Sequence, residues 1–133
     1  MAISHHLLLS TLVLMTLSFS SNVYGDYGTA TFNKPPYVPS SCYGFEDQGV
    51  MIGAASDDIW DDGAACGRFY SVQCLSGTNQ GDPEPCTGDS IVVKITDQCP
   101  PPGCQGTIDL SEEAFAAISN TDAGKINILY QQA

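Results

Sequence analysis

Apolar and polar residues alternate in several short runs along this chain. The clearest run is Ile91 to Asp97, where Ile91, Val93 and Ile95 share one face and Lys94 and Thr96 the other. That period of two predicts a half-buried strand. By the same parity, Asp97 ends the strand on its apolar face. Gly28 to Phe32 reads as a first strand, stopped by Asn33-Lys34-Pro35-Pro36, with Pro35 to Gly44 as a loop. Met51 to Ala55 is a short apolar strand leading into Ser56-Asp57-Asp58-Ile59-Trp60, which has the form of one N-capped helical turn. Phe69 to Cys74 is a strand, followed by a polar loop from Leu75 to Asp89. Thr107 to Leu110 and Lys125 to Tyr130 complete the set, the latter with Ile126, Ile128 and Tyr130 on its core face. Between them, Ser111-Glu112-Glu113 opens a helix with acid in its first turn, carrying Ala114, Phe115 and Ile118 inward. Six short strands with one short helix, punctuated by 13 glycines and eight prolines, predict a small all-β barrel.

The N-terminus does not join this pattern. Leu7 to Leu17 is an apolar run too short for a bilayer span of about 20 residues, and polar Ser18 to Asn22 follows it. Val23 and Gly25 then stand just before Asp26, as at a signal-peptidase site. Residues 1–25 are therefore expected to be a cleaved secretory signal, although His5 and His6 replace the usual basic residues. Residues 26–133 are expected to form one secreted, extracellular domain.

This division changes the charge picture. The first 25 residues contain no Asp, Glu, Lys or Arg, so the whole net charge of −11 falls on the mature domain. Both histidines lie in the signal, which excludes a Ser-His-Asp triad, a Cys-His pair and any His-ligated metal from the mature protein. Acid–base work would fall to carboxylates, tyrosines or lysines. So acidic a surface disfavours nucleic acid, anionic lipid and polyanionic wall polymers. No nucleic acid, membrane insertion, metal or cofactor is expected, and the domain is expected to be a monomer.

Six cysteines, Cys42, Cys66, Cys74, Cys86, Cys99 and Cys104, all lie in the mature part. In a short secreted chain an even number reads as three disulfides, with 15 possible connectivities. Zinc is disfavoured because there is no Cys-x-x-Cys pair and no available histidine. Cys99 and Cys104 enclose only Pro100-Pro101-Pro102-Gly103, a stiff loop that favours pairing them with each other.

Two carboxylates stand out as candidate chemistry. Asp97 ends one strand, and Asp109, between Ile108 and Leu110, points away from the apolar side of another. Carboxylates at strand ends can converge on a groove, as acid–base chemistry on a glycosidic bond requires. The alternative is that both cap turns, Asp97 at Gln98–Cys99 and Asp109 near the helix start. The cluster Asp57, Asp58, Asp61 and Asp62 fails the calcium-loop pattern, since Trp60 and Phe69 fall where ligands would be needed, and reads as a solvated turn. Trp60 within it reads as the turn's inward anchor. No N-glycosylation sequon is present.

Five motifs in order give a resemblance. Gly28-Thr-Ala-Thr-Phe32, Asp62-Gly-Ala-Ala-Cys-Gly67, Val93-Lys-Ile-Thr-Asp-Gln-Cys-Pro100, Gly106-Thr-Ile-Asp-Leu-Ser111 and Gly124-Lys-Ile-Asn-Ile128 follow the order seen in expansin first domains. They resemble more closely the plant natriuretic peptides, also called endoglucanase-45-like (EG45-like) domain proteins, over essentially all of residues 26–133. The resemblance implies a six-stranded double-psi β-barrel with short helices, and bridges Cys42–Cys66, Cys74–Cys86 and Cys99–Cys104. It implies a polysaccharide-facing cleft lined by Thr31, Asp97 and Asp109. In hydrolases of this fold, Asp109 would match the general acid. Their base sits on the first strand, where this chain has Phe32 and Asn33. Thr107 and Ile108 stand where expansins usually carry His and Phe. The sequence ends at Ala133, so the second, aromatic-rich domain of expansins is not expected.

The function implied is that of a non-enzymatic, apoplastic signal in water and solute homeostasis, acting on a cell-surface receptor. The family's signalling segment would correspond to roughly residues 35–67. The alternatives are a wall-polysaccharide binder or modifier acting through Thr31, Asp97 and Asp109, and a barwin-like defence protein.

Overall fold

A computed structural model describes residues 24–79 and 81–133. Apart from Tyr24 and Gly25, the expected secretory signal lies outside the described residues. Six strands form: β1 (Asp26–Asn33), β2 (Ile52–Ala55), β3 (Phe69–Gly77), β4 (Ser90–Gln98), β5 (Ile108–Ser111) and β6 (Ile126–Gln132). Two short α-helices accompany them, α1 (Asp57–Trp60) after β2 and α2 (Glu112–Ile118) after β5. The strands close into a barrel in the order β1-β5-β2-β4-β3-β6. The β1/β5 and β2/β4 pairs are parallel and the other four are antiparallel. This is the double-psi arrangement that the motifs imply.

Strand parity fills the barrel. Val72, Val93, Ile95, Ile108, Leu110, Ile126 and Ile128 all point inward and are fully buried. Helix α2 plugs one end with Phe115, whose ring lies 4.7 Å from that of Phe32. Its start is fixed by Ser111, whose hydroxyl accepts from the Ala114 N–H at 3.0 Å and donates to the Val50 carbonyl. An N-cap of this kind contributes about 1 kcal/mol. At α1 the expectation of a side-chain cap fails: the Ser56 hydroxyl is buried and unpaired, and only its carbonyl takes up the turn. Trp60 packs partly against the core, and the four aspartates around it are exposed, as anticipated.

One strand departs from its sequence pattern in a way that matters. Gly53 lies opposite Ile95, but the next residue, Ala54, lies opposite Asp97. Thr96 is therefore an extra residue, a β-bulge in β4. The bulge resets the alternation. Asp97 does not end on the apolar face, as simple parity predicts; it lines a surface cleft beside Ala54, while Thr96 is buried there. Strand β3 also runs on to Gly77, into the segment expected as loop, because Ser76 and Gly77 pair with Asn127 and Ile126.

The three disulfides are Cys42–Cys66, Cys74–Cys86 and Cys99–Cys104. Between β1 and β2 the chain leaves the barrel in a long loop. Cys42–Cys66 and the Cys42 N–H to Thr96 carbonyl bond at 3.1 Å hold that loop over the bulge.

Candidate functional site

Strand register builds the site. Thr31 on β1 lies opposite Asp109 on β5, Asp109 lies opposite Ala54 on β2, and Ala54 lies opposite Asp97 on β4. The three residues proposed from sequence thus fall in one row across four neighbouring strands, on the outer face of the barrel. Asp97 and Asp109 stand two strand spacings apart, about 10 Å between Cα atoms. The small Ala54 between them forms a shallow floor.

The two carboxylates have different surroundings. Asp109 accepts the Thr31 hydroxyl proton at 2.8 Å. Burial pushes its carboxyl above the usual carboxylate range; the Thr31 bond partly offsets this, and the charge of Asp97 adds to it. Asp97 is tied to backbone. Its Oδ1 accepts from the Gln98 N–H and from the Ser41 N–H, each at 2.9 Å. The turn-capping role read from sequence is therefore real for Asp97, whereas the helix start near Asp109 is capped by Ser111 instead.

Residues that sequence reasoning missed complete the cleft. Asn33, Pro36, Tyr37 and Ser111 line it beside the aspartates. Tyr37 donates to Glu113 Oε2 at 2.6 Å and accepts the Glu112 N–H at 3.1 Å, which pins the loop to the first turn of α2. Burial and the Glu113 carboxylate push the Tyr37 hydroxyl up to about 12, so it stays protonated. Only the Pro35-Pro36-Tyr37 run hinted at this lip, because its partner lies 76 residues away.

The cleft does not stop at Asp109. A second hollow shares Asp109 and adds Thr31, Cys99 and Gln105. A third shares Cys99 and Gln105 and continues to Thr107, Asp57 and Asp58. The three hollows adjoin through these shared lining residues, a trough of linked hollows from the Tyr37 lip, over the aspartate row, to the Cys99–Cys104 loop. Every charged residue along it is an aspartate; no lysine or arginine lines it. Among the described residues, no group of three or more His, Cys, Asp or Glu is arranged to hold a metal.

Comparison with known proteins shows the family. A family model described as lytic transglycolase matches residues 52–130. An EG45-like domain containing protein of Citrus jambhiri is 55% identical over 92% of this chain and 95% of its own. The chain belongs to this family, among the EG45-like domain proteins. The fold of this EG45-like chain also matches the crystal structure of an apo expansin from Clavibacter michiganensis. That match has a TM-score of 0.61 and 29% identity, covering 82% of this chain and 50% of the expansin. A mutant of the Clavibacter expansin in complex with cellohexaose matches with a TM-score of 0.53 and 26% identity, over the same shares of each chain. Three disulfides in so small an EG45-like domain fit an oxidising, extracellular setting.

Proposed function

We propose that this EG45-like protein is secreted to the apoplast and holds an extended, neutral wall polysaccharide in the trough without cutting it. The observation that carries the proposal is the trough itself: an open, elongated surface with Thr31, Asp109 and Asp97 in one row at its centre. Hydroxyl and carboxylate acceptors so placed suit the hydroxyls of a sugar chain. The all-acidic lining, on a chain of net charge −11, repels polyanions and leaves neutral glycans as the fitting class. The cellohexaose held by the related expansin supports this class. Thr31, Phe32 and Asn33 of β1 line the groove, and none of them is a carboxylate at the positions where the family likeness would put a hydrolase's base. That supports binding over hydrolysis.

The test is retention of the purified protein on insoluble cellulose, xylan and whole wall, with Asp109→Ala in parallel and sugars assayed in the supernatant. Saturable retention, weakened at least about tenfold by the substitution (~1.4 kcal/mol) with no sugar released, is the expected result. Released sugars would make the protein an enzyme, and absence of retention would remove the glycan reading.

A second reading is the mobile signal in water and solute homeostasis that the family likeness implies. It is favoured by Phe45, Val50 and Met51, apolar side chains exposed on the segment between β1 and β2, with Phe45 80% exposed. Such residues suit contact with a receptor. In that case binding to intact cells would depend on Phe45, and retention on wall polymers would be absent.

A further inference from the structure

The barrel wall away from the trough has a composition unlike the rest of the surface. Strand register sets Tyr27, Leu129, Gln73 and Ser90 in one outward row across β1, β6, β3 and β4. A second outward row is Gln131, Ser71 and Val92. Phe69 extends β3 beyond them and Leu75 lies at the other end of the wall. These side chains are uncharged, in a protein with 15 acidic residues, and Lys94, opposite Phe69 in the β3/β4 register, brings a positive charge to that end of the wall. Tyr27 is 80%, Val92 51%, Phe69 48% and Leu75 42% exposed. Gln73 and Ser90 are exposed as well, and a shallow hollow runs between Ser71, Gln73, Ser90, Leu129 and Gln131.

This combination identifies an occupant by its chemistry. A partner protein with a basic patch would seek the acidic surface, which lies elsewhere. A core-like apolar interface would not carry carboxamides and hydroxyls through its middle. A wall built mainly of uncharged hydrogen-bonding groups, with one aromatic ring toward each end and no carboxylate in its two rows, matches a neutral polyhydroxylated polymer: rings for the apolar faces of its sugars, amides and hydroxyls for its hydroxyls. Tyr27 and Phe69 lie two strands and four residues apart, about 15 Å. They can therefore engage separate sugars of one chain. Because β1 and β4 border both the trough and this wall, the two surfaces look in different directions and cannot serve the same stretch of polymer.

We propose that the outer wall of β1, β6, β3 and β4 is a second surface for neutral polysaccharide, so that one domain can engage two polymer chains. The proposal rests on the trough reading for its bivalency and stands apart from it for the wall itself. Two weak surfaces on one rigid body raise retention on a dense polymer through effective concentration.

The experiment measures retention on amorphous cellulose for the wild-type protein, Asp109→Ala, a Tyr27→Ala/Phe69→Ala pair and a Gln73→Ala/Gln131→Ala pair. All the wall positions are exposed or half-buried, and near-ultraviolet circular dichroism confirms folding in each variant. Sedimentation velocity is run on the wild type and both wall pairs. The expected result is that each wall pair lowers retention about tenfold with the trough intact (~1.4 kcal/mol), and that the wild type bundles cellulose fibrils where the wall pairs do not. Wild-type retention by both wall pairs, alongside loss in Asp109→Ala, overturns the second surface and leaves the trough standing. Loss in the wall pairs alone supports the wall as a single site and sinks the trough instead. A wild-type dimer that the wall pairs dissociate overturns the proposal by making this wall a contact between copies of the chain.

Discussion

Treated with excess thiol in native buffer, the domain is expected to unfold, losing its near-ultraviolet circular dichroism in one cooperative step. The three bridges close separate loops, with sequence separations of 24, 12 and 5. In the chain-entropy model such loops contribute about 3.5, 3 and 2 kcal/mol, and because they do not overlap the contributions combine to roughly 8 kcal/mol. A domain of this size has a net stability of about 5–15 kcal/mol. Few of its loops have a core of their own to fall back on. The long segment between β1 and β2 contains only Ser40 among the buried residues, and is held by Cys42–Cys66, a few backbone bonds and side-chain bonds at Tyr37, Ser41 and Gln48 rather than by a core. Denaturation curves for oxidised and reduced protein check this. A reduced form with native dichroism and an unchanged midpoint would contradict it.

The second large effect separates the two aspartates of the groove. Asp97→Ala strips the acceptor from the Ser41 and Gln98 N–H groups and is expected to cost about 1–3 kcal/mol. It also frees the loop that forms the groove's lip, so glycan retention should fall with stability. Asp109→Asn is expected to behave differently. The amide oxygen can still accept from Thr31, and the substitution removes a carboxylate that burial disfavours in its charged form. Because the carboxyl of Asp109 is raised in the native state, the native protein binds its proton more tightly than the unfolded chain does. Stability from this group is therefore full at low pH and lost as pH rises through the window up to the raised native value. Asp109→Asn should abolish that fall and equal or exceed the wild-type midpoint at neutral pH. Urea titrations at mildly acidic and neutral pH distinguish the outcomes: a neutral-pH loss above about 1 kcal/mol in Asp109→Asn would make that residue structural.

The same contrast shows what the sequence could and could not disclose. Strand positions were legible because the alternation Ile91-Val93-Ile95 and Ile126-Ile128-Tyr130 is the direct imprint of a half-buried pleat. The Cys99–Cys104 pair followed from loop length, and the other two bridges from family likeness. Asp97 was misplaced because a bulge adds a residue through backbone geometry, and Thr96 carries no mark of it beyond being polar at a position that is buried. The row Thr31–Asp109–Ala54–Asp97 could not be read locally either, since parallel pairing joins residues 78 apart on β1 and β5. Tyr37 was missed for the same reason: its partners at Glu112 and Glu113 belong to a helix that meets the loop only in the closed barrel. The failed cap at Ser56 is different in kind. Ser56 stands at the N-cap position, but its hydroxyl is buried without a hydrogen-bond partner, so the local preference goes unmet there.

If the aspartate row forms a glycan groove, a bound sugar must shift the amides that line it. The most direct measurement is a two-dimensional amide NMR titration of the folded protein with a soluble cello-oligosaccharide. Saturable shifts are expected, concentrated at Thr31, Thr96, Asp97 and Asp109 and at the Tyr37 lip, and strongly reduced in Asp109→Ala. Spectra that stay unchanged along this row at millimolar oligosaccharide would contradict the glycan groove.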